Sequence, residues 1–294
     1  PPIENCSNGI DDDCNMLSDA ADPWCAALCP GSAHIDAPGG RYTTALVPHV
    51  YQGTCGGAGA EAYFDFVLTS AQDVFLTTHE MNGVNTVLYV RSMTCTGTQV
   101  AMGCNNDADG LVTSTLRLNL AAGRYMVFVD SVGGVSSGTA VLDAYFSTPG
   151  LVTDRCGRPG FIAAGTTSLS GNIIGYSNDY TSVGCNGGRE DRVFYFYLPT
   201  ARAVTFDGCH PIDTFDQSAY LRSVCSDGTA GGQVTCNDDD ACGGSPAFCD
   251  SGQYNSGFTT TIGPGLFYFI SDGWGFYGNG CDTIGAYTYA ITGL

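Results

Sequence analysis

The chain of 294 residues contains no lysine: its ten basic residues are all arginine, set against 29 acidic ones for a formal net charge of −19. Without a basic patch it has little to offer nucleic acid or an anionic membrane surface, and neither is expected as a partner. No run of eighteen apolar residues occurs, so no helical membrane span is expected. Helical periodicity is missing too, apart from a turn or two around Pro23-Trp-Cys-Ala-Ala-Leu28. The four histidines, His34, His49, His79 and His210, are scattered and complete no CxxC-type knuckle, so zinc is only the second use for the fifteen cysteines. No leader is visible at Pro1-Pro2, and the expectation is a mature product whose secretion signal has been removed.

What is present points outward from the cell. Fifteen cysteines mean disulfides and an oxidising compartment. The acidic residues are mostly Asp, beside 41 Gly and many Thr and Asn, a mixture that suits turns, caps and hard-cation sites. Plain solubility in an extracellular medium is the alternative reading of that charge.

One pattern occurs twice. Tyr89-Val-Arg-Ser-Met-Thr-Cys95 leads to Cys104-Asn-Asn-Asp107, and Tyr220-Leu-Arg-Ser-Val-Cys225 leads to Cys236-Asn-Asp-Asp239. Upstream, Cys29-Pro-Gly31 and Cys55-Gly-Gly match Cys156-Gly-Arg-Pro-Gly160 and Cys185-Asn-Gly-Gly. Downstream, Leu120 to Val129-Asp130 matches Ile262 to Ser271-Asp272. This is a duplication, with an N-terminal segment 1–26 and domains at 27–148 and 151–294, each large enough for its own core. Thr148-Pro-Gly150 forms a short joint. The aligned cysteines suggest pairs Cys29–Cys55, Cys95–Cys104, Cys156–Cys185 and Cys225–Cys236. Cys242–Cys249, Cys209–Cys281 and Cys6–Cys14 are the simplest remaining pairs, leaving Cys25 over. Apolar or alternating runs at 74–78, 87–90, 114–120, 124–129 and 141–146, bounded by Gly, Asn, Asp or Ser, read as strands. The expected fold is all-β: two tandem antiparallel jelly-roll-like β-sandwiches with a short disulfide-stapled N-terminal segment.

Asn85-Thr-Val-Leu-Tyr89, Cys104-Asn-Asn-Asp107 and Ser114-x-Leu-x-Leu-x-Leu-x-Ala-Gly123-x-Tyr125-x-Val-x-Val129 resemble the bacterial pre-peptidase C-terminal domain. The second copy keeps Asp216 and Asn237-Asp238-Asp239 and replaces Gly-x-Tyr by Gly265-Leu-Phe. The resemblance implies a secreted sandwich that is often appended to proteases and often binds calcium or a polymer, and it implies no catalysis. Glu4-Asn-Cys6-Ser-Asn-Gly-Ile-Asp-Asp-Asp-Cys14-Asn is similar to the signature of deltaproteobacterial surface proteins carrying a metal-binding motif.

Two loops have the donors for calcium. Asp11, Asp13, Asn15, the Leu17 carbonyl, Asp19 and Asp22 fall at positions 1, 3, 5, 7, 9 and 12 of an EF-hand-like loop, with Met16 where a Gly is wanted. An Asx-rich turn without metal is the alternative. Asn237, Asp238, Asp239 and Asp240 offer hard oxygens, or else form a solvated hairpin tip, as Asp107 and Asp109 are expected to do.

No catalytic constellation emerges, and the chain reads as a non-enzyme. Gly134-Val-Ser136-Ser-Gly138 matches Gly-x-Ser-x-Gly but joins two strands, not a strand and a helix. His79-Glu80 lacks a second His, and His210 near Asp213 and Asp216 reads as a turn. Trp274-Gly-Phe-Tyr277 suits loop packing, or stacking against a sugar. Two functions remain open. One is a structural, extracellular or cell-surface protein that self-associates as a filament subunit, with Cys25 free for an intermolecular bridge. The other is a polysaccharide- or protein-binding module of a larger secreted enzyme.

Overall fold

The computed structural model describes residues 4, 6, 9–18, 21, 22, 25, 28–79, 84–109, 111–133, 137–209, 215–239, 255–274 and 284–294. The chain divides into two compact units, Pro1–Pro149 and Gly150–Leu294. Among the described residues there is no helix long and apolar enough to cross a membrane.

The first unit runs β1 (Ala33–His34), β2 (Gly39–Ala45), β3 (Glu61–Leu68), β4 (Gln72–Thr78), β5 (Thr86–Ser92), β6 (Gln99–Asn106), β7 (Thr115–Leu120), β8 (Gly123–Ser131) and β9 (Thr139–Ser147). A five-stranded sheet, β1-β3-β8-β5-β6, and a four-stranded one, β2-β9-β4-β7, form the sandwich. The five apolar or alternating runs appear as β4, β5, β7, β8 and β9. Phe64, Phe66, Leu88, Val90, Val127 and Val129 of the larger sheet meet Val74, Leu76, Leu118, Leu142 and Phe146 of the smaller in one core. The period of two sends the intervening residues of the larger sheet to its other face. There Tyr63, Val87, Tyr89, Met126 and Phe128 lie buried with Cys29 and Cys95, and Tyr51 and Val47 pack onto them. A covering loop thus gives the five-stranded sheet a second apolar face.

The second unit repeats this with β10 (Gly160–Phe161), β11 (Ser168–Asn172), β12 (Gly187–Leu198), β13 (Arg202–Asp207), β14 (Gln217–Arg222), β15 (Gln233–Asn237), β16 (Gly257–Ile262), β17 (Gly265–Trp274) and β18 (Ala286–Thr292). Its sheets, β10-β12-β17-β14-β15 and β11-β18-β13-β16, have the same order as the first pair. Phe196, Phe206, Leu221, Phe269, Tyr289 and Ile291 centre its core. The sheets are not wholly antiparallel: β1 runs parallel to β3, and β10 to β12. Between each pair the chain crosses to the other sheet and back, which relieves the two strands of the tight hairpin that antiparallel neighbours use.

The disulfides correct the expected pairing. The bonds are Cys29–Cys95 and Cys55–Cys104 in the first unit, and Cys156–Cys225 and Cys185–Cys236 in the second. The repeat alignment of the cysteines was right, but neighbours in sequence are not partners. Cys95 lies in the turn after β5, over the face where Cys29 enters; Cys104 lies within β6, beside the loop that carries Cys55. Cα separations of 5.3–6.0 Å suit all four bridges. Cys6 joins Cys25 rather than Cys14, so Cys25 is not left over; among the described residues Cys14 is the free, exposed thiol. Cys209 is also disulfide-bonded. Its expected partner Cys281, and the pair Cys242–Cys249, lie outside the described residues.

The Arg-Ser pair of the repeated motif serves this frame. Arg91 donates to the carbonyls of Cys95 and Gln52, and Arg222 to those of Cys225 and Thr181. Ser92 and Ser223 donate their hydroxyls to the carbonyls of Thr98 and Gly232 across the same turn.

Candidate metal centres

The N-terminal loop gathers part of its expected donor set and adds one residue. Carboxylate oxygens of Glu4, Asp13 and Asp22 all lie within 4.8 Å of one another. Glu4 and Asp22 are fully buried. The Asn15 side-chain amide donates to Asp13 Oδ2 at 3.0 Å and to Asp22 Oδ2 at 2.6 Å, so it presents nitrogen, not oxygen, to this cluster. Asp11 accepts from the Asn15 and Met16 amides and shapes the turn. Met16 takes a left-handed φ of 74°, supplying at some strain the bend for which such loops use Gly. Leu17 donates its amide to Asn15 Oδ1, and Asp19 lies outside the described residues.

Glu4 was missed in sequence. It sits ahead of the loop and is brought in by the Cys6–Cys25 bridge and by two hydrogen bonds. Arg124 donates to its carbonyl, and the Asp12 amide donates to its carboxylate at 2.8 Å. Desolvation raises the Asp13 pKa, aided by the charges of Asp22, Glu4 and Asp11 and opposed by the Asn15 amide. Desolvation also lowers that of Arg124 against the pull of Asp65, Asp22 and Glu4. The segment therefore docks on its own first domain.

The second expected loop is more open. Asn237 ends β15, its amide reaching the Asp239 carbonyl at 3.4 Å while its Oδ1 accepts from the Gly257 amide at 3.2 Å. Burial, then the charge of Asp238, raises the Asp239 pKa. Asp240 lies outside the described residues. In the first copy Asp109 pairs with Arg117 at 3.3 Å.

A third acidic site lies beneath the covering loop in each domain. Glu61 opens β3 directly opposite Asp130 on β8, as Asp191 on β12 stands opposite Asp272 on β17. All four side chains are fully buried. Glu61 Oε1 accepts from the amides of Val50 and Tyr51 and from the Tyr63 hydroxyl. Asp191 Oδ2 likewise accepts from the amides of Asp179 and Tyr180. Close backbone approach is needed at Gly57 and Gly187: a Cβ there would stand 2.2 Å from Asp130 Oδ2 and 2.1 Å from Asp272 Oδ2.

At the rim the two copies part. Asp272 accepts from the Arg189 amide at 3.2 Å and the Tyr220 hydroxyl at 3.1 Å, leaving Asp191 Oδ1 without a partner. In the first domain Glu61 Oε2, both oxygens of Asp130 and the Tyr89 hydroxyl are buried without partners. The Gly59 and Ser131 amides, whose proximity lowers the Asp130 pKa, direct their hydrogen bonds to the carbonyls of Ser131 and Ala60. His49 Nδ1 stands 3.8 Å from Asp130 Oδ2. Burial, then the charge of Glu61, pushes Asp130 up to about 7. Burial, then the charge of Asp272, raises Asp191 well above the usual range, and burial does the same for Asp272. The one sequence signal for these pairs was an acid closing an otherwise apolar strand in both repeats, at Asp130 and Asp272.

Two further histidines are hydrogen-bonded to buried carboxylates. His34 bonds Asp65 at 2.8 Å, and His79 bonds Asp143 at 2.9 Å, where Arg41 also binds at 2.7 Å. Gly134–Ser136, Glu80, His210, Asp213 and residues 275–277 lie outside the described residues.

No family model matches the chain, and no curated protein matches it. Among solved structures it is similar to the pre-peptidase C-terminal domain of collagenase from Bacillus anthracis, at 14% identity and TM-score 0.29, over 40% of this chain and 97% of that one. It is also similar to a protein from Eubacterium rectale described as secreted, at 9% identity and TM-score 0.24, over 79% of this chain and 68% of that one. A third is a cycloisomaltooligosaccharide glucanotransferase of Paenibacillus sp., at 9% identity and TM-score 0.20, over 83% of this chain and 46% of that one. Likenesses this distant carry no functional argument.

Proposed function

We propose that the protein is a secreted or cell-surface structural protein, not an enzyme, whose N-terminal segment is ordered by calcium. The observation that carries the reading is the convergence of Glu4, Asp13 and Asp22 within 4.8 Å, two of them buried, in a segment too small to hold a core of its own. Three carboxylates so close repel one another, Arg124 offsets only part of that charge, and a hard divalent cation with oxygen ligands offsets the rest. The disulfide-clamped domains suit an oxidising extracellular setting. Self-association through Cys25 has lost its basis, since Cys25 pairs with Cys6.

Calorimetric titration of calcium into the wild type and Asp13→Ala tests the site. A dissociation constant of roughly 10⁻⁴–10⁻³ M is expected, with the heat from this loop absent in the variant. Equal heats in both reject it. Light scattering on the same samples separates the roles. Calcium-dependent assembly supports the structural one; a monomer retained on a polysaccharide column replaces it with a binding module.

A further inference from the structure

The buried acidic pair is present in both domains, yet among the described residues only the first leaves oxygens of both acids without a partner and sets a histidine beside them. We propose that His49, Glu61 and Asp130 form a binding site for a borderline divalent cation of the zinc class, and that the matching Asp191–Asp272 pair of the second domain does not. The three donor atoms lie within 4.8 Å of one another. Glu61 Oε2 and both Asp130 oxygens are buried without a partner, which is costly for carboxylates unless something of opposite charge meets them.

The surroundings supply the outer shell of such a site. Three donors fix Glu61 through Oε1 alone, which leaves Oε2 without a protein partner. The Tyr89 hydroxyl is an independent sign. It is fully buried and without a partner, and its twin Tyr220 bonds the corresponding acid, Asp272. The bridge Cys55–Cys104 holds the end of the covering loop above the pair.

The donor set selects the ion. One imidazole nitrogen with two carboxylates suits zinc and its neighbours, whereas calcium takes six to eight oxygens. Two carboxylates balance the charge of a divalent ion, and three protein ligands leave a position for water. Ligands of one tetrahedral zinc stand about 3.3 Å apart at bond lengths of about 2.0–2.1 Å. The 3.8 Å between His49 and Asp130 therefore has to close slightly, and His49 is the exposed member of the three.

The second domain lacks these features. Counting back from the amide pairs Val50–Tyr51 and Asp179–Tyr180, Asn178 takes the place of His49, and its amide donates to the Gly188 carbonyl at 2.9 Å. Tyr220 and Arg189 occupy the oxygens of Asp272.

Zinc titration of the full chain tests the assignment, in a Cys14→Ser background so that the exposed thiol does not compete. One zinc ion should bind with calcium present in large excess. His49→Asn, a surface change that copies the second domain, should weaken binding at least tenfold, since even outer-shell partners contribute about 10–100-fold. Glu61→Gln should do the same, while Asp191→Asn and Asp13→Ala should leave binding intact; the last arm keeps this site distinct from the calcium loop. Cobalt(II) in place of zinc should give a visible absorption band that His49→Asn abolishes. Zinc uptake unchanged in His49→Asn, loss on Asp191→Asn, or displacement by calcium would each overturn the proposal.

Discussion

The two domains share sheet order, bridge pattern and a buried acid pair, and they differ in what meets the acids. In the second domain a tyrosine hydroxyl and a backbone amide satisfy Asp272; in the first the equivalent oxygens are bare and a histidine stands at the rim. Packing positions have been retained through duplication while the donors around one polar pocket have diverged. Of the groups that differ, His49 and its counterpart Asn178 lie on loops, while Tyr89, Tyr220 and Arg189 lie on strands whose order is the same in both domains.

The covalent frame should give the largest effect, and the same one in both domains. Removing Cys29–Cys95 or Cys156–Cys225 by paired Cys→Ala changes opens a separation of 66 or 69 residues. In the chain-entropy model each loss costs about 4 kcal/mol, read as a fall in the urea midpoint. A one-sided effect would break the equivalence, as would a non-reduced peptide map showing Cys95–Cys104 or Cys225–Cys236.

The acid pair of the second domain comes next. Asp191 and Asp272 are raised above the roughly 3.9 of an unfolded aspartate. The native state therefore binds these protons more tightly than the unfolded state. The pair costs least below about pH 4, and stability falls as pH rises through the folded values. Asp191→Asn removes the charge while its amide oxygen still accepts from residues 179 and 180 and its nitrogen faces Asp272. It should stabilise by about 1–3 kcal/mol at pH 8, with the gain vanishing toward pH 4. A gain independent of pH would show that the pair does not titrate.

The tyrosine twins give the smallest and sharpest contrast. Tyr220→Phe removes a hydrogen bond to Asp272 and should cost about 1 kcal/mol. Tyr89→Phe removes a hydroxyl without a partner and should be neutral or stabilising when both are measured in chelator. Equal costs would mean that the two pockets are alike.

The strands and the duplication were legible because alternation, Gly-rich turns and a repeated Tyr-x-Arg-Ser…Cys string are local signals. The bridge pattern was not: the alignment of Cys29, Cys55, Cys95 and Cys104 with their counterparts is one-dimensional, whereas the choice of partner depends on which face each strand turns toward the covering loop. The candidate sites divide in the same way. Asp11 to Asp22 form one continuous string and were read as one donor set, but of these only Asp13 and Asp22 meet in the cluster with Glu4. Glu61 and Asp130 come from separate strands and meet only through the register of β3 against β8. Glu4 joins its loop only because a buried arginine and a disulfide fold it back.

The crossed bridges also decide how the chain behaves under tension. A pull on the N-terminal side of a domain passes from Cys29 or Cys156 straight across to Cys95 or Cys225, just after a strand next to the central one, so β1–β5 and β10–β14 are bypassed and the load enters at β6 or β15. The chain in between, spanning separations of 66 and 69 residues, stays slack. At about 3.3–3.6 Å per residue, roughly 220–250 Å of each domain is withheld from extension even after every hydrogen bond has broken. Stretched in an oxidising medium, each domain behaves as a short tether with a fixed stop.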